Sequence, residues 1–216
     1  PLLQLPSTDD YVGEVFQVGT TWYDYQHNGS TSTMIALDSQ GNVHMVWMNG
    51  LQSGAADRHV FYNFFENGAV AFPGGVQISS FRSGYTTLDV NADDIPVAFF
   101  HSTVDSTRPV CAWDAIYGTG AFISTVISPP VPDRGLTWPH GIVDARGFYH
   151  TVTQTNPNTQ LYYSRSEDGG FNFTTPIGIS STDGMAAVSQ TMAAGPYEKV
   201  AIGYMHPLTT SWIDED

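Results

Sequence analysis

The sequence repeats itself. Ala36-Leu37-Asp38-Ser39-Gln40-Gly41-Asn42-Val43-His44-Met45-Val46-Trp47 aligns without a gap on Ile142-Val143-Asp144-Ala145-Arg146-Gly147-Phe148-Tyr149-His150-Thr151-Val152-Thr153. Residues 88–100 fall between them in register when Asp38, Asn91 and Asp144 are equated, at spacings of 53 residues. A fourth copy ends in Val200-Ala201-Ile202-Gly203-Tyr204-Met205. A fixed interval of this kind means one supersecondary unit used several times. Each copy reads as a strand, a tight polar turn and a second strand, because an Asp/Asn/Gly cluster separates two apolar runs.

The second half of the unit recurs as well. A third strand is expected at residues 58–65, 108–115, 160–166 and 209–214, and a fourth ends on the pairs Ile78-Ser79, Ile127-Ser128 and Ile179-Ser180. Four strands of six or seven residues with their turns fill about 50 residues, the size of a β-propeller blade. A β-helix coil is shorter, and a plain sandwich has no reason to repeat at this interval. The expected fold is therefore all-β: one domain over residues 1–216, with four-stranded blades at about 31–79, 84–128, 137–180 and 188–216. The last unit lacks a fourth strand, and residues 14–25 stand where an outermost strand belongs. Pairing of 14–25 with 209–214 would cover two open edges. Within one chain it closes a four-bladed ring; between chains it gives self-association through the terminal strands. An arc of a larger ring is the other arrangement.

Composition agrees and excludes. With 21 Gly, 13 Pro and 13% charged residues, the chain suits short strands and many turns rather than amphipathic helices. Seven basic against 21 acidic residues leave a formal charge of −14, which repels nucleic acid and anionic membranes. No apolar run approaches the roughly 18 to 20 residues that cross a bilayer. Cys111 is alone, so no intrachain disulfide and no cysteine zinc site can form, and between Val110 and Ala112 it reads as a small core residue. The chain opens on Pro1 without a signal-like segment, as a processed product or a piece of a longer chain would.

Ser166-Glu167-Asp168-Gly169-Gly170-Phe171-Asn172-Phe173 resembles the Asp-box, Ser-x-Asp-x-Gly-x-x-aromatic, of the sialidase-like (BNR-repeat) β-propellers, with Phe173 in place of the usual Trp. It lies between a third and a fourth strand, as in that family, and the blade-length pattern extends the resemblance over nearly the whole chain. Residues 65–68 and 114–120 are degenerate copies at most. The resemblance implies a turn device: Asp168 accepts backbone N–H bonds, Gly170 permits positive φ, Phe173 packs beneath, and Ser166 opens the turn. It implies a propeller without implying an enzyme, because the box lies opposite the family's active face. It also implies a secreted or surface-exposed protein, of bacterial type.

Asp38 and Asp144 head turns that a carboxylate can cap. Asp89, Asn91 and Asp93 have the opening spacing of a calcium loop, but Asp94 and Phe100 stand where its Gly and Glu belong, so Ca2+ there competes with an ordinary polar turn; no other cofactor is indicated. His44 and His150 lie in apolar second strands and read as core or edge residues.

The opposite face is formed by loops that join blades and loops that join second to third strands, where propellers bind ligands. It carries Arg58, Arg82, Arg108 and Arg134, four of the chain's six Arg, together with His27, His101, His140, His206, Tyr85, Asp133, Trp138 and Asp183. Arg82 and Arg134 enter first strands at corresponding places, and paired guanidiniums grip a carboxylate or sulfate. Arg82, Arg134, Tyr85, His140, Asp133 and Asp183 are thus the ligand-binding candidates, and an acidic sugar is the ligand to test first; the bland alternative is that loops are simply polar. Two functions follow. One is an extracellular module that binds a glycan or a protein, or builds a larger surface assembly, without catalysis. The other is a sialidase-like glycoside hydrolase; against it, the family's Phe/Tyr-Arg-Ile-Pro motif is absent, with Phe81-Arg82-Ser83-Gly84 the nearest approach, and no Glu is placed to pair with a nucleophilic Tyr.

Overall fold

The computed structural model describes residues 13–26, 33–129, 135–156, 160–180, 190–195 and 199–204. Among them are fifteen strands and no helix, in four antiparallel sheets that follow the chain in order; none closes into a barrel. The first sheet holds β1 (Ile35–Leu37), β2 (Val43–Gly50), β3 (Arg58–Glu66), β4 (Ala69–Val70) and β5 (Val76–Gln77), the last two both pairing with β3. The second holds β6 (Ser83–Val90), β7 (Pro96–Thr103), β8 (Thr107–Asp114) and β9 (Phe122–Val126). The third holds β10 (Gly135–Val143), β11 (Tyr149–Asn156), β12 (Leu161–Ser166) and β13 (Ile177–Gly178), and the fourth β14 (Thr191–Ala194) and β15 (Val200–Gly203).

The repeat becomes a set of identical hydrogen bonds. In the turn between first and second strands, Oδ1 of Asp38 accepts from the amides of Gln40 (2.9 Å) and Asn42 (2.8 Å). Oδ1 of Asn91 does the same for Asp93 and Ile95 (both 3.0 Å), and Oδ1 of Asp144 for Arg146 (2.9 Å) and Phe148 (3.0 Å). A short side-chain acceptor two residues before the donor is what closes such a turn. At the other edge, the amides of Ile78, Ile127 and Ile179 donate to the carbonyls of Val60, Pro109 and Leu161, each at 2.9 Å.

Hydrophobic layers lie between successive sheets. Along β7 and β8, Ala98, Phe100, Val110 and Ala112 face Val46, Val60, Tyr62 and Phe64 of the first sheet. The alternate residues Val97, Phe99, Cys111 and Trp113 face Tyr149 of the third. A strand alternates its side chains between faces, so a sheet covered on both sides needs apolar residues at consecutive positions. That is why Val97-Ala98-Phe99-Phe100 is continuously buried. Val152 and Leu161 meet Met192, with Val200 and Ile202 beside them. Side chains reach across as well: the Tyr117 hydroxyl donates to Asp38 (2.8 Å), and Asn91 donates to the Tyr149 hydroxyl (3.0 Å).

Residues 14–25 form no strand, which corrects the expectation from their position. They cross the face of the first sheet that no sheet precedes. Phe16 packs on Phe65 at 4.7 Å, Asn63 donates to the carbonyl of Val18 (2.6 Å), and Trp47 Nε1 to that of Thr20 (3.3 Å). A Cβ at Gly19 would lie 2.2 Å from the Trp47 ring, so only glycine lets the segment lie this close. The physical reason is apolar area: edge pairing would leave this face of Trp47, Phe61 and Phe65 without a cover, and lying across it shields those rings. The expected partner, residues 209–214, lies outside the described residues.

Candidate functional site

Where β2 ends and β3 begins, and where β6 and β10 begin, side chains from β3, β6, β7, β10 and the segment before β1 converge. Arg58, the first residue of β3, is 5% exposed. Its Nε donates to the carbonyl of Ser83 (3.1 Å), and its Cζ lies 4.7 Å from the centre of the Tyr23 ring and 5.4 Å from that of Tyr85. Gly84 makes this possible, because a Cβ there would meet Arg58 Nη2 at 3.0 Å and Met48 Sδ at 2.7 Å. The Tyr23 and Tyr85 hydroxyls are hydrogen-bonded at 2.9 Å. Burial and that bond push the Tyr85 phenol up to about 12, against the pull of Arg58.

Tyr85 and Trp138 stand one repeat apart on β6 and β10, each at an irregularity in its ladder, and both take a left-handed backbone, with φ of 51° and 47°. Non-glycine residues are held there only when their surroundings over-determine them, and such positions cluster at functional sites. His101 sits between them, its ring centre 5.3 Å from that of Tyr85. Its Nδ1 receives the amide of Trp138 (3.2 Å) and lies 3.0 Å from the Thr137 hydroxyl, so the ring proton resides on Nε2. Burial, then Arg58 and Arg82, bring His101 down to about 3, leaving it a neutral donor at ordinary pH. Gln190, fully buried, donates to the carbonyl of Trp138 (2.8 Å). Its Oε1 and the buried Trp138 Nε1 have no hydrogen-bond partner among the described residues.

Charge is distributed unevenly among the arginines. Arg108 pairs with Asp105 (3.0 Å), Arg146 with Asp144 (2.7 Å) and Arg165 with Glu167. Arg58 and Arg82 have no carboxylate partner among the described residues. A guanidinium held out of water without a counterion is costly.

Two solved structures share the fold. A polysaccharide lyase of a family described as PL25, an ulvan lyase, superposes with a TM-score of 0.61 at 9% identity, over 86% of this chain and 47% of its own. The α-L-arabinofuranosidase PaAbf62A from Podospora anserina, solved with cellotriose, superposes with a TM-score of 0.52 at 13% identity, over 86% of this chain and 62% of its own. At these identities the likeness is one of fold. The chain thus spans about half of the first protein's length and under two thirds of the second's. No protein-family model and no curated protein matches the sequence.

The sequence candidates divide. Tyr85 lies in the cluster; Arg82 lies beside it, exposed, with Nε bonded to the carbonyl of Ala56 (3.1 Å). His140 is 2% exposed and faces Val152 in the third sheet's ladder. Arg134, Asp133, Asp183, His27 and His206 lie outside the described residues. Position alone favoured Arg82 and Arg134 as the cationic pair, whereas Arg58 is the buried cation. The available signal was local: Arg108, its counterpart on β8, has Asp105 three residues earlier, while the only carboxylate near Arg58 in sequence is the adjacent Asp57, which pairs with His59 (3.1 Å). Tyr23, Met48 and Gln190 gave no sequence signal, since each reaches the site through tertiary packing.

The calcium candidates are not brought together. Asp89 Oδ2 accepts the amide of Val143 (2.7 Å) on the next sheet, while Asn91 faces its own turn. Among the described residues no group of three His, Cys, Asp or Glu is arranged to hold a metal. Asp168 Oδ1 accepts from the Asn172 amide (2.9 Å) and the Ser166 hydroxyl (2.8 Å), while that hydroxyl accepts the Gly170 amide (2.8 Å). Gly170 has a φ of 97°, and Phe173 packs against the layer between the second and third sheets.

Proposed function

We propose that this chain is a β-propeller module, secreted or displayed at a cell surface, that binds an acidic polysaccharide where Arg58, Tyr85 and Trp138 meet. The observation that carries it is Arg58, a buried guanidinium that lies against two aromatic rings and a backbone carbonyl and has no carboxylate partner among the described residues. A uronate fits both components: its carboxylate takes the paired N–H bonds that a guanidinium offers, and its ring stacks on an aromatic face. The two fold relatives, a polysaccharide lyase and an arabinofuranosidase solved with cellotriose, support a glycan as the ligand class.

A second reading is eliminative cleavage of the same ligand. It is favoured over hydrolysis because the cluster holds two hydrogen-bonded phenols and, among the described residues, none of the carboxylates that a glycosidase pairs across its bond. In such a step a base removes the proton at C5 of the uronate while Arg58 neutralises the carboxylate. The electron pair forms the C4–C5 double bond, the C4–O bond breaks, and the departing oxygen takes a proton from a phenol.

The test is a glycan array of neutral and acidic polysaccharides, with an absorbance assay for unsaturated uronate and a fluorogenic sialoside assay alongside. Binding confined to acidic glycans, and lost in Arg58→Gln, is the expected result. Unsaturated product adds the elimination, and sialoside turnover would replace it with hydrolysis. Binding to none of the acidic glycans would overturn the assignment.

A further inference from the structure

Arg58 and Arg82 are linked reciprocally. Arg58 Nε donates to the carbonyl of Ser83, next to Arg82, and Arg82 Nε donates to the carbonyl of Ala56, two residues before Arg58; both bonds are 3.1 Å. The carbonyl of Arg82 in turn accepts the amide of Thr103 (2.8 Å), which fixes this strand entrance to the end of β7. Each guanidinium therefore spends its Nε on positioning and keeps its terminal nitrogens for something else. One is buried beneath Tyr23 and Tyr85, and the other is exposed at the rim.

Two like charges near each other repel, and among the described residues no carboxylate relieves that repulsion, although one pairs with each of Arg108, Arg146 and Arg165. The His101 imidazole lies within electrostatic reach of both cations. Such a pair is stabilised by a ligand that carries two anionic groups.

We infer that Arg82 is a second anion-binding point, which takes a carboxylate or sulfate ester on the sugar next to the one whose carboxylate reaches Arg58. The inference rests on the acidic-glycan assignment and adds to it that the ligand is anionic on neighbouring sugars, or both carboxylated and sulfated. Arg58, between two rings, suits a planar carboxylate; Arg82, free at the rim, suits either oxyanion.

The experiment is calorimetric titration with three polymers: chondroitin, which has one carboxylate per disaccharide; chondroitin sulfate, which adds a sulfate ester; and polygalacturonate, with a carboxylate on every sugar. The native protein should bind at least one of the two denser polymers about tenfold or more tighter than chondroitin, and which one tells sulfate from carboxylate. Arg82→Gln should reduce that polymer to about the chondroitin level with a much smaller effect on chondroitin itself, and Arg82→Lys should restore part of the difference. Arg58→Gln should remove binding to all three. If Arg82→Gln keeps the discrimination, or weakens all three polymers equally, the second point is overturned while the Arg58 site stands. If the native protein binds none of them, the underlying assignment falls with it. Melting curves of each variant separate lost recognition from lost fold.

Discussion

The rings of Tyr85 and Trp138 meet edge to face with centres 6.4 Å apart, and each is carried by a left-handed residue at the same place in successive sheets. Their backbone conformation costs of order 1–3 kcal/mol each, which the surrounding hydrogen bonds must offset. Trp138 is held by bonds from its amide to His101 and from Gln190 to its carbonyl, and Tyr85 by its amide on Met48 Sδ (2.9 Å) and its hydroxyl on Tyr23. A packing role alone would be met by a ring on an unstrained residue.

Tyr85→Gly should therefore separate stability from recognition. Glycine relieves strain of about 1 kcal/mol or more and forfeits a half-buried ring worth about 1.5 kcal/mol or more. The two nearly cancel, so the melting temperature should move by only a few degrees, while acidic-glycan affinity falls at least tenfold. Thermal unfolding and titration on one preparation check both; a large stability loss with affinity intact would make Tyr85 a fold residue.

Arg58→Met should leave stability unchanged or raise it by up to about 2 kcal/mol, because an apolar chain of similar length removes an uncompensated buried charge. The loss of its bond to the Ser83 carbonyl and of its cation contacts with the Tyr23 and Tyr85 rings offsets part of that gain. Arg108→Met is the control: that cation already has Asp105, so no comparable gain is expected. Urea unfolding of the two variants decides, and a marked loss in Arg58→Met would mean that the cation is satisfied within the fold.

Acid should act in two stages. Burial lowers His44 and His150 from the usual imidazole range despite Asp38 and Asp144, and lowers His101 to about 3. A group depressed in the folded state binds its proton more readily when unfolded, so stability falls as pH drops below about 6.5. Burial raises Asp38 and Asp144, but hydrogen bonds from Asn42 and Tyr117 to the first, and from Arg146 and Phe148 to the second, outweigh it and bring both to about 2. Their contribution is present above the unfolded value near 4 and is lost between there and about pH 2. Urea midpoints should thus decline from pH 7.5 to 5, and more steeply below 4. His150→Gln should flatten the first decline, and a flat profile from 7.5 to 5 would remove the imidazole account.

What the sequence revealed was what repeats. Asp38, Asn91 and Asp144 are bound to equivalent turns because each turn solves the same local hydrogen-bonding problem. Residues 14–25 do not form the expected strand: a place beside an incomplete unit cannot distinguish a strand that pairs an edge from a segment that covers a face. The site was half legible: Tyr85, Trp138, His101 and Arg58 all fell on the loop face, but which arginine lacks a counterion depends on where Asp57 and Asp105 turn. Left-handed φ at Tyr85 and Trp138 has no sequence signature, since neither is Gly or Asn.

The repeated Ile-Ser pairs supply the last prediction, because one copy differs where backbone chemistry says it should. Ser79 Oγ accepts the Val60 amide (3.0 Å) and Ser180 Oγ accepts the Leu161 amide (2.9 Å), capping third strands where the fourth strand turns away. In the second sheet the corresponding residue is Pro109, whose nitrogen has no proton, so Ser128 has no amide to cap. Ser79→Ala leaves a fully buried Val60 with an unmet donor and should cost about 1 to 2 kcal/mol. Ser180→Ala should cost about 1 kcal/mol, since Leu161 is equally buried but Ser180 is partly open to water. Ser128→Ala should change stability by less than about 0.5 kcal/mol. The converse variant, Pro109→Val, creates a donor that Ser128 can satisfy, so Pro109→Val should be tolerated with Ser128 present and destabilised by about 1 kcal/mol when combined with Ser128→Ala. Urea unfolding of the four single variants and the double variant tests the scheme. Equal losses at all three serines would show that the hydroxyls act through something other than the amide they face.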